Sequence, residues 1–597
     1  MSTGIRWILP AREDGTAVAR LVNDARIAPW AAEILVRRGL SEPEVAAKFL
    51  KPMLRTLSDP FLLPEMDAAT ARILAAVEKR ERIVLYGDYD VDGVTSLTLL
   101  TRLLRAYGAE VATFLPHRVD EGYGLSADGV ARCVEEHRPQ LLIAVDCGTT
   151  SVAEISHLRE SGVDVIVLDH HEPKDEMPPA VAIVNPKVRS AKRGVRNEEG
   201  ANDAANHSAL RTPHSAFEYL CSAGIAFKVA HALLKRQPIA GFDIKDLLDL
   251  AAIGTVADVV PLVEENRIFV RAGLDRIPQS RWPGVRALVE VAGLRAPLRA
   301  VDIGFGIGPR LNAAGRLDSA TAALELLLTD DPARAQSLAR SLDQQNRERR
   351  AIEDEVLGKA GAQIIGAYDP AGDAAIVVGD AGWHPGVVGI VASRLLRRYH
   401  RPTFVIGFDA MGIGKGSGRS IEGFSLVAAL TRCAPLLEKF GGHEMAAGLT
   451  MRQENFAAFR ETFAQAAREM IAPENLQRAL RLDAELRLAE VNLNLLDEHD
   501  ALQPFGTANH QPVFFTRGVT LSGEPRMMKD KHWSFNFRHA RAEGGAIRAQ
   551  CRGVWWNAAE EILPPLPWDI AYTVSRNEWN GRVDAQLELR GVRAAAM

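Results

Sequence analysis

Cysteine is scarce and scattered. The five cysteines (Cys133, Cys147, Cys221, Cys433 and Cys551) among 597 residues are odd in number and far apart. That excludes a disulfide framework and a CxxC zinc site, and it fits a reducing cytoplasm. Long apolar runs are missing too: none approaches the roughly 20 residues of a membrane span. The opening MSTGIRWILPAREDG lacks the apolar core of a signal peptide. No GxGxxG or Walker signature follows any predicted strand, which argues against dinucleotide or nucleoside-triphosphate binding. Positive charge is not in surplus either. A net charge of −5 excludes a globally basic nucleic-acid binder but permits local basic surfaces. What remains, 47% hydrophobic and 25% charged residues, describes an ordinary globular protein. At about 150 residues per domain, its length predicts three or four domains.

The richest stretch is IVLYGDYDVDGVTS at 83–96. Four apolar residues predict a strand over 83–86, a loop carries Asp88, Asp90 and Asp92 between Gly87 and Gly93, and a helix is expected over 94–107. Carboxylates this close repel one another. At the carboxyl end of a parallel strand, where open α/β sheets bind ligands, they call for a hard cation such as Mg²⁺ or Mn²⁺. From about 65 to 185 strands alternate with helices, the signature of βαβ units. Two further strand ends repeat the theme, one running into Asp146 and Cys147, the other into Asp169, His170 and His171. Asp258, in GTVADVVPL at 254–262, offers a fourth acidic corner or else a helix cap. Residues 188–215 are polar and low in complexity, and read as a flexible insertion.

An arginine-rich helical stretch over 321–360 reads equally well as a solvated face or as a DNA contact. In GPRLNAAGRL at 308–317, Arg310, Asn312 and Arg316 are candidates for phosphate contact, with small residues letting the backbone approach. Between Arg394 and Arg419 six basic residues face one acid, Asp409, and lead to the glycine-rich loops at 412–420 and 441–449. From about 480, short strand candidates separated by turns predict a small β-barrel. There Phe535, Trp555 and Trp556, with nearby Arg526, Lys529 and Lys531, could stack on bases or simply pack a core.

The blocks YGDYDVDG, VDCG, DHH and GTVADVVPL, in this order and spacing, resemble the motifs of the DHH phosphoesterase superfamily. EGYGLS, WHPGVVGIVASRL and PFGTANHQPVF are similar to phrases of its bacterial branch of exonucleases specific for single-stranded DNA. The resemblance implies an α/β multidomain protein. Its parts would be a helical segment (1–60), a parallel-sheet DHH catalytic domain (61–300), connecting helices (301–360), a smaller α/β DHH-associated (DHHA1-like) domain (361–472) and an OB-fold (473–597). It implies a two-ion Mn²⁺ or Mg²⁺ site. Asp88, Asp90 and Asp92 would supply first-motif ligands, Asp146 would bridge, His170 and Asp258 would complete the second site, and His171 would meet the scissile phosphate. Related phosphatases carry a His where Tyr86 stands, which leaves the first site short of one ligand. Arg419, Ser420, Gly441, Gly442 and His443 would grip substrate phosphates. The implied activity is 5′-to-3′ release of mononucleotides from single-stranded DNA in repair and recombination. The implied protein is a cytoplasmic monomer, with a single-strand-binding protein and a RecQ-type helicase as partners. Two alternatives stand beside it: a phosphodiesterase of short oligonucleotides or cyclic dinucleotides, and a catalytically silent replication scaffold.

Overall fold

The computed structural model describes residues 5–11, 13–116, 124–188, 216–317, 320–367, 369, 372–539, 550–579 and 581–595. The expected insertion at 188–215 lies outside them except for Val188. The chain forms two compact units: a larger one, mainly Leu9–Gly315 and Arg481–Met597, and a smaller one, mainly Asp343–Leu480.

The larger unit is built on an all-parallel sheet. Its strands are β1 (Ile83–Gly87), β2 (Val111–Phe114), β3 (Leu141–Val145), β4 (Asp164–Leu168) and β5 (Ala182–Val184), in the order β2-β1-β3-β4-β5. The helices α1 (Val91–Ala106), α2 (Ala127–His137), α3 (Val152–Glu160), α4 (Ser222–Arg236), α5 (Leu248–Ala257) and α6 (Glu264–Arg276) pack around it. Alternate strand residues divide between two cores: Leu85, Ile143 and Ile166 enter one, Val84, Leu142 and Val167 the other. Both faces are covered, so these strands read as unbroken apolar runs, and the sheet's one chemically open boundary is its carboxyl edge. The helix after β1 begins at Val91, not at residue 94, because the Asp90 carboxylate caps it by accepting from the Gly93 amide (3.1 Å). Asp92 therefore lies in the first turn of α1 and not in the loop.

One 36-residue helix, α7 (Pro332–Ala367), carries the chain from the larger unit into the smaller. Its arginines pair locally: Arg334 with Glu325 (2.6 Å), Arg347 with Asp343 (2.5 Å) and Arg349 with Glu353. The smaller unit has a five-stranded mixed sheet of β6 (Ile376–Ala381), β7 (Thr403–Phe408), β8 (Ile413–Arg419), β9 (Lys439–Gly442) and β10 (Ala446–Arg452), in the order β9-β10-β8-β7-β6. Helices α8 (Pro385–Tyr399) and α9 (Phe456–Met470) cover it. Two members of its basic run are structural. Arg394 pairs with Asp354 at 2.6 Å, and buried Arg401 donates to the carbonyls of Asp373, His400 and Leu476.

The larger unit is completed by β11 (Phe514–Leu521), β12 (His532–His539), β13 (Gln550–Trp555), β14 (Trp568–Trp579) and β15 (Arg582–Ala594). Strand β11 pairs with both β14 and β12, and β15 bridges β14 to β13, so the five close into a barrel. Phe535 packs its interior beside Phe537 and Trp568 and is unavailable for stacking on bases, whereas Trp556 is 48% exposed.

Candidate active site

Each acidic strand end reaches the same edge of the sheet. Asp88 and Asp92 are fully buried, as is Asp146, whose φ of 63° lies in the left-handed region that a non-glycine residue seldom occupies. The first turn of α4 presents amides and a hydroxyl to this edge. Asp92 accepts from the Ser222 and Ala223 N–H groups (2.7 and 2.8 Å), and Asp146 accepts from the Ser222 hydroxyl (2.9 Å). His170 Nε2 stands 3.4 Å from Asp146, 3.6 Å from Asp258 and 3.9 Å from Asp92. Potential ligand atoms fall into three groups, each within 4.8 Å, two of which share Asp146: Asp88, Asp90 and Asp146; Asp146, His170 and His171; and, separately, Asp92, Cys221 and Asp258. Asp92 thus groups with Asp258, across from Asp88 and Asp90.

Burial and mutual repulsion dominate the electrostatics. Burial, then the Asp92, Asp90 and Asp88 charges, push the Asp146 carboxyl well above its usual range. Burial, then the Asp92 and Asp90 charges, raise Asp258 to about 9; burial, then Asp90, raise Asp92 to about 6. Burial and the neighbouring His171 lower His170 to about 4, so its ring is neutral at physiological pH and offers a lone pair. Acids that cannot all ionise without a counter-charge, beside a neutral imidazole, form a donor set suited to divalent cations with a mixed oxygen and nitrogen preference.

Asp169 stands apart from this cluster. It accepts from the amides of Thr149, His170 and His171 and from the His171 ring (Nδ1–Oδ1 2.7 Å). Burial would raise its pKa, but these partners outweigh burial and hold it below the ordinary range. For His171 burial opposes the charged form, yet the Asp169 carboxylate prevails and the pKa is raised. Tyr86 supplies no ligand: it is wholly buried, stacks on Phe114 (5.0 Å) and donates to the Gly124 carbonyl.

The other expected residues are placed as follows. Arg310 donates to the Gly306 and Val291 carbonyls, and Asn312 is half-buried on the same helix, Gly308–Leu317. The Arg316 side chain lies outside the described residues. The small residues of this segment bring the helix against the loop that carries Asp88 and Asp90, with Ala313 and Ala314 buried and a Cβ at Gly315 meeting the Tyr89 carbonyl at 3.1 Å. In the smaller unit, Arg419 donates to the Ser417 hydroxyl (2.9 Å) and lies over Gly389 of α8, where a Cβ would come within 3.2 Å of it. The Ser420 hydroxyl is buried and donates to the Phe424 carbonyl (2.6 Å). Gly441, Gly442 and His443 form an exposed corner where Gly442 adopts φ 137°.

Sequence reasoning missed Ser222, Ala223, Asn185 and Gly254. A Cβ on Gly254 would crowd Ala223 and Thr95 and come within 3.0 Å of Asp92, so the close approach of α1, α4 and α5 at this point requires glycine. Glycine inside an apolar helix was the one available signal.

Comparison with known proteins agrees with this reading. The DHH family N-terminal domain matches residues 82–255, the DHHA1 domain 372–469 and the RecJ OB domain 482–591. A parallel sheet with acids and imidazoles at its carboxyl edge, a DHHA1 unit and an OB barrel together define a multidomain DHH phosphoesterase. The chain belongs to the family of the single-stranded-DNA-specific exonuclease RecJ. It is 35% identical to the protein of that name from Bacillus subtilis over 99% of this chain and 71% of that one. It is 36% identical to that of Escherichia coli over 94% and 95%. The crystal structure of RecJ in complex with Mn²⁺ from Thermus thermophilus matches 100% of this chain and 81% of that one, with a TM-score of 0.81 at 32% identity. The corresponding Mg²⁺ complex gives 0.75.

Proposed function

We propose that the protein is a metal-dependent exonuclease that degrades single-stranded DNA from the 5′ end, releasing 5′-mononucleotides in repair and recombination. The observation that carries this reading is the meeting of four separate acidic segments and His170 at one sheet edge, in a chain of the RecJ family. In this reading Asp88, Asp90 and Asp146 hold one divalent ion, Mn²⁺ or Mg²⁺, and Asp92, Asp146, His170 and Asp258 hold the other. When bound, two such ions supply the positive charge that activates water and stabilises the entering and leaving oxygens of phosphodiester hydrolysis.

The chain's own residues do the rest. The α4 amides fix the Asp92 carboxylate, and the Ser222 hydroxyl fixes Asp146, so neither has to reorganise during turnover. Asp169 holds the His171 ring in one orientation and favours its protonated form, which donates to a non-bridging phosphate oxygen. In the smaller unit Arg419, Gly441, Gly442 and His443 contribute phosphate contacts. The domain limits proposed with it are helical 1–60, catalytic 61–300, connector 301–360, DHHA1-like 361–472 and OB-fold 473–597. The protein acts in the cytoplasm as a monomer, with a single-strand-binding protein and a RecQ-type helicase supplying substrate. No helix among the described residues is long and apolar enough to cross a membrane.

Single strands labelled at either end test this reading, digested with Mn²⁺ and with EDTA. A 5′ label should appear at once as mononucleotide, a 3′ label should pass through a ladder, and EDTA should stop both. Loss of the 3′ label first, or cleavage that survives EDTA, overturns it.

A further inference from the structure

A cleft of about 230 Å³ opens beside the metal-ligand cluster, wholly within the larger unit. His170 forms one end. Lys187, Tyr219, Val260 and Pro261 form its walls, and Glu172 and Glu218, both with exposed carboxylates, also line it. None of these except His170 has a role in the chemistry above. Its volume is of the order of one nucleoside.

Two buried asparagines build the cleft. Asn185, fully buried, accepts from the Lys187 amide through Oδ1 (2.9 Å) and donates through Nδ2 to the His171 carbonyl (2.9 Å) and the Thr149 hydroxyl (3.0 Å). One side chain therefore fixes Lys187 relative to the DHH segment. The Asn266 amide, also buried, donates to the carbonyls of both Tyr219 (2.5 Å) and Pro261 (3.0 Å) and ties them together. These two buried side chains fix the backbone that carries Lys187, Tyr219 and Pro261, so the cleft is preformed.

Lys187 lines the same cleft as His170, the ligand candidate at its end. Among the described residues its Nζ is held only by Glu172, at 2.8 Å, and that carboxylate is 74% exposed. Such a surface pair contributes little, so a phosphate oxygen can replace Glu172 at small cost. Resting on the exonuclease reading, we infer that this cleft is a subsite for the nucleotide next to the scissile bond, with Lys187 on its phosphate and Tyr219 and Pro261 against its sugar and base. Lys187 is a substrate-binding residue that raises affinity without entering the chemical step.

The test is steady-state hydrolysis of short 5′-phosphorylated single strands with Mn²⁺, each carrying one neutral methylphosphonate walked along the backbone, by the full-length wild type, Lys187→Ala, Lys187→Arg and Glu172→Gln. Lys187→Ala should raise KM about tenfold, the worth of one charge-assisted hydrogen bond, and leave kcat within about threefold. The methylphosphonate beside the scissile bond should raise KM for the wild type and not for Lys187→Ala. The slope of log(kcat/KM) against log[salt] should flatten by roughly 0.7, the release expected for one phosphate contact on a single strand. Lys187→Arg should stay near wild type, and Glu172→Gln should lower KM or leave it unchanged. The inference is overturned if Lys187→Ala and the wild type respond alike to every methylphosphonate, or if kcat falls with KM unchanged. It is also overturned if Glu172→Gln raises KM as Lys187→Ala does, because the pair is then structural. Should Lys187→Ala fail to fold, the arginine and Glu172 variants decide. A wild type that does not cut single strands refutes the exonuclease reading itself, an outcome distinct from all of these.

Discussion

Asp146 carries more opposed demands than any other residue in the site. It is buried, left-handed in backbone, and crowded by the Asp92, Asp90 and Asp88 charges, an arrangement that destabilises the fold and that the proposed metal-holding role accounts for. Asp146→Asn should therefore lose about a thousandfold or more in hydrolysis while gaining about 1–3 kcal/mol in metal-free stability. Thermal melts in EDTA and in Mn²⁺ check this: the variant should melt above the wild type in EDTA and lose that advantage when metal is added. Asp249, near the start of α5 and remote from the ligands, gives a pH test. Burial raises its pKa to about 6 against hydrogen bonds from Ser280 and Leu250. An acid whose folded pKa lies above its unfolded value of 3.8 binds more protons when folded. Its destabilising effect is thus absent below about pH 4, grows between 4 and 6, and is complete above. Asp249→Asn should raise stability at pH 8 by up to about 3 kcal/mol and leave it unchanged at pH 4, as read from denaturant midpoints.

At the scale of elements, the turn from β1 into α1 has no slack. A Cβ on Gly93 would overlap the Asp88 carbonyl, so Gly93→Ala should shift the loop that carries Asp88 and Asp90. We expect a loss of about 1–3 kcal/mol and at least about a hundredfold in kcat, measured side by side. If hydrolysis survives the substitution, the loop does not carry the ligands assigned to it. The strands were legible in the sequence because both faces of the sheet are buried: 83–86, 111–115, 141–145 and 163–168 fall within a residue of those observed. Three-residue β5 was not, being too short for any period to show. The edge at which the acids gather was legible for the same reason, since Asp88, Asp146 and Asp169 follow apolar strands. Two things were hidden. The grouping of Asp92 with Asp258 depends on where α1 begins, which the Asp90 cap decides. The α4 amides that hold Asp92 come from residues 130 and 131 positions away, and backbone donors leave no mark in a sequence.

At the scale of the molecule, the larger unit depends on a guanidinium far from the chemistry. Arg267 of α6 is buried without a carboxylate partner among the described residues, and burial, then Arg271 and Arg38, bring its pKa to about 9. It donates to Phe49 of the N-terminal helices (2.7 Å) and to Leu502 and Ala501 ahead of the barrel (both 3.1 Å), and it lies over the Phe49 ring at 3.8 Å. Arg267→Ala takes a donor from three carbonyls, of which only that of Leu502 has another, from the Asn509 side chain, among the described residues, and it opens a cavity, so it should cost about 3 kcal/mol or more. Below its melting temperature kcat and KM should be unchanged. The central claim is that four segments converge to hold two divalent ions for hydrolysis of the DNA backbone. Counting bound Mn²⁺ by electron paramagnetic resonance during titration, for the wild type and Asp146→Ala, with hydrolysis of single-stranded DNA followed in the same samples, tests it most directly. The structure predicts two ions per chain for the wild type and joint loss of tight binding and cleavage in the variant. A variant that keeps both ions, or that cleaves at the wild-type rate, contradicts it.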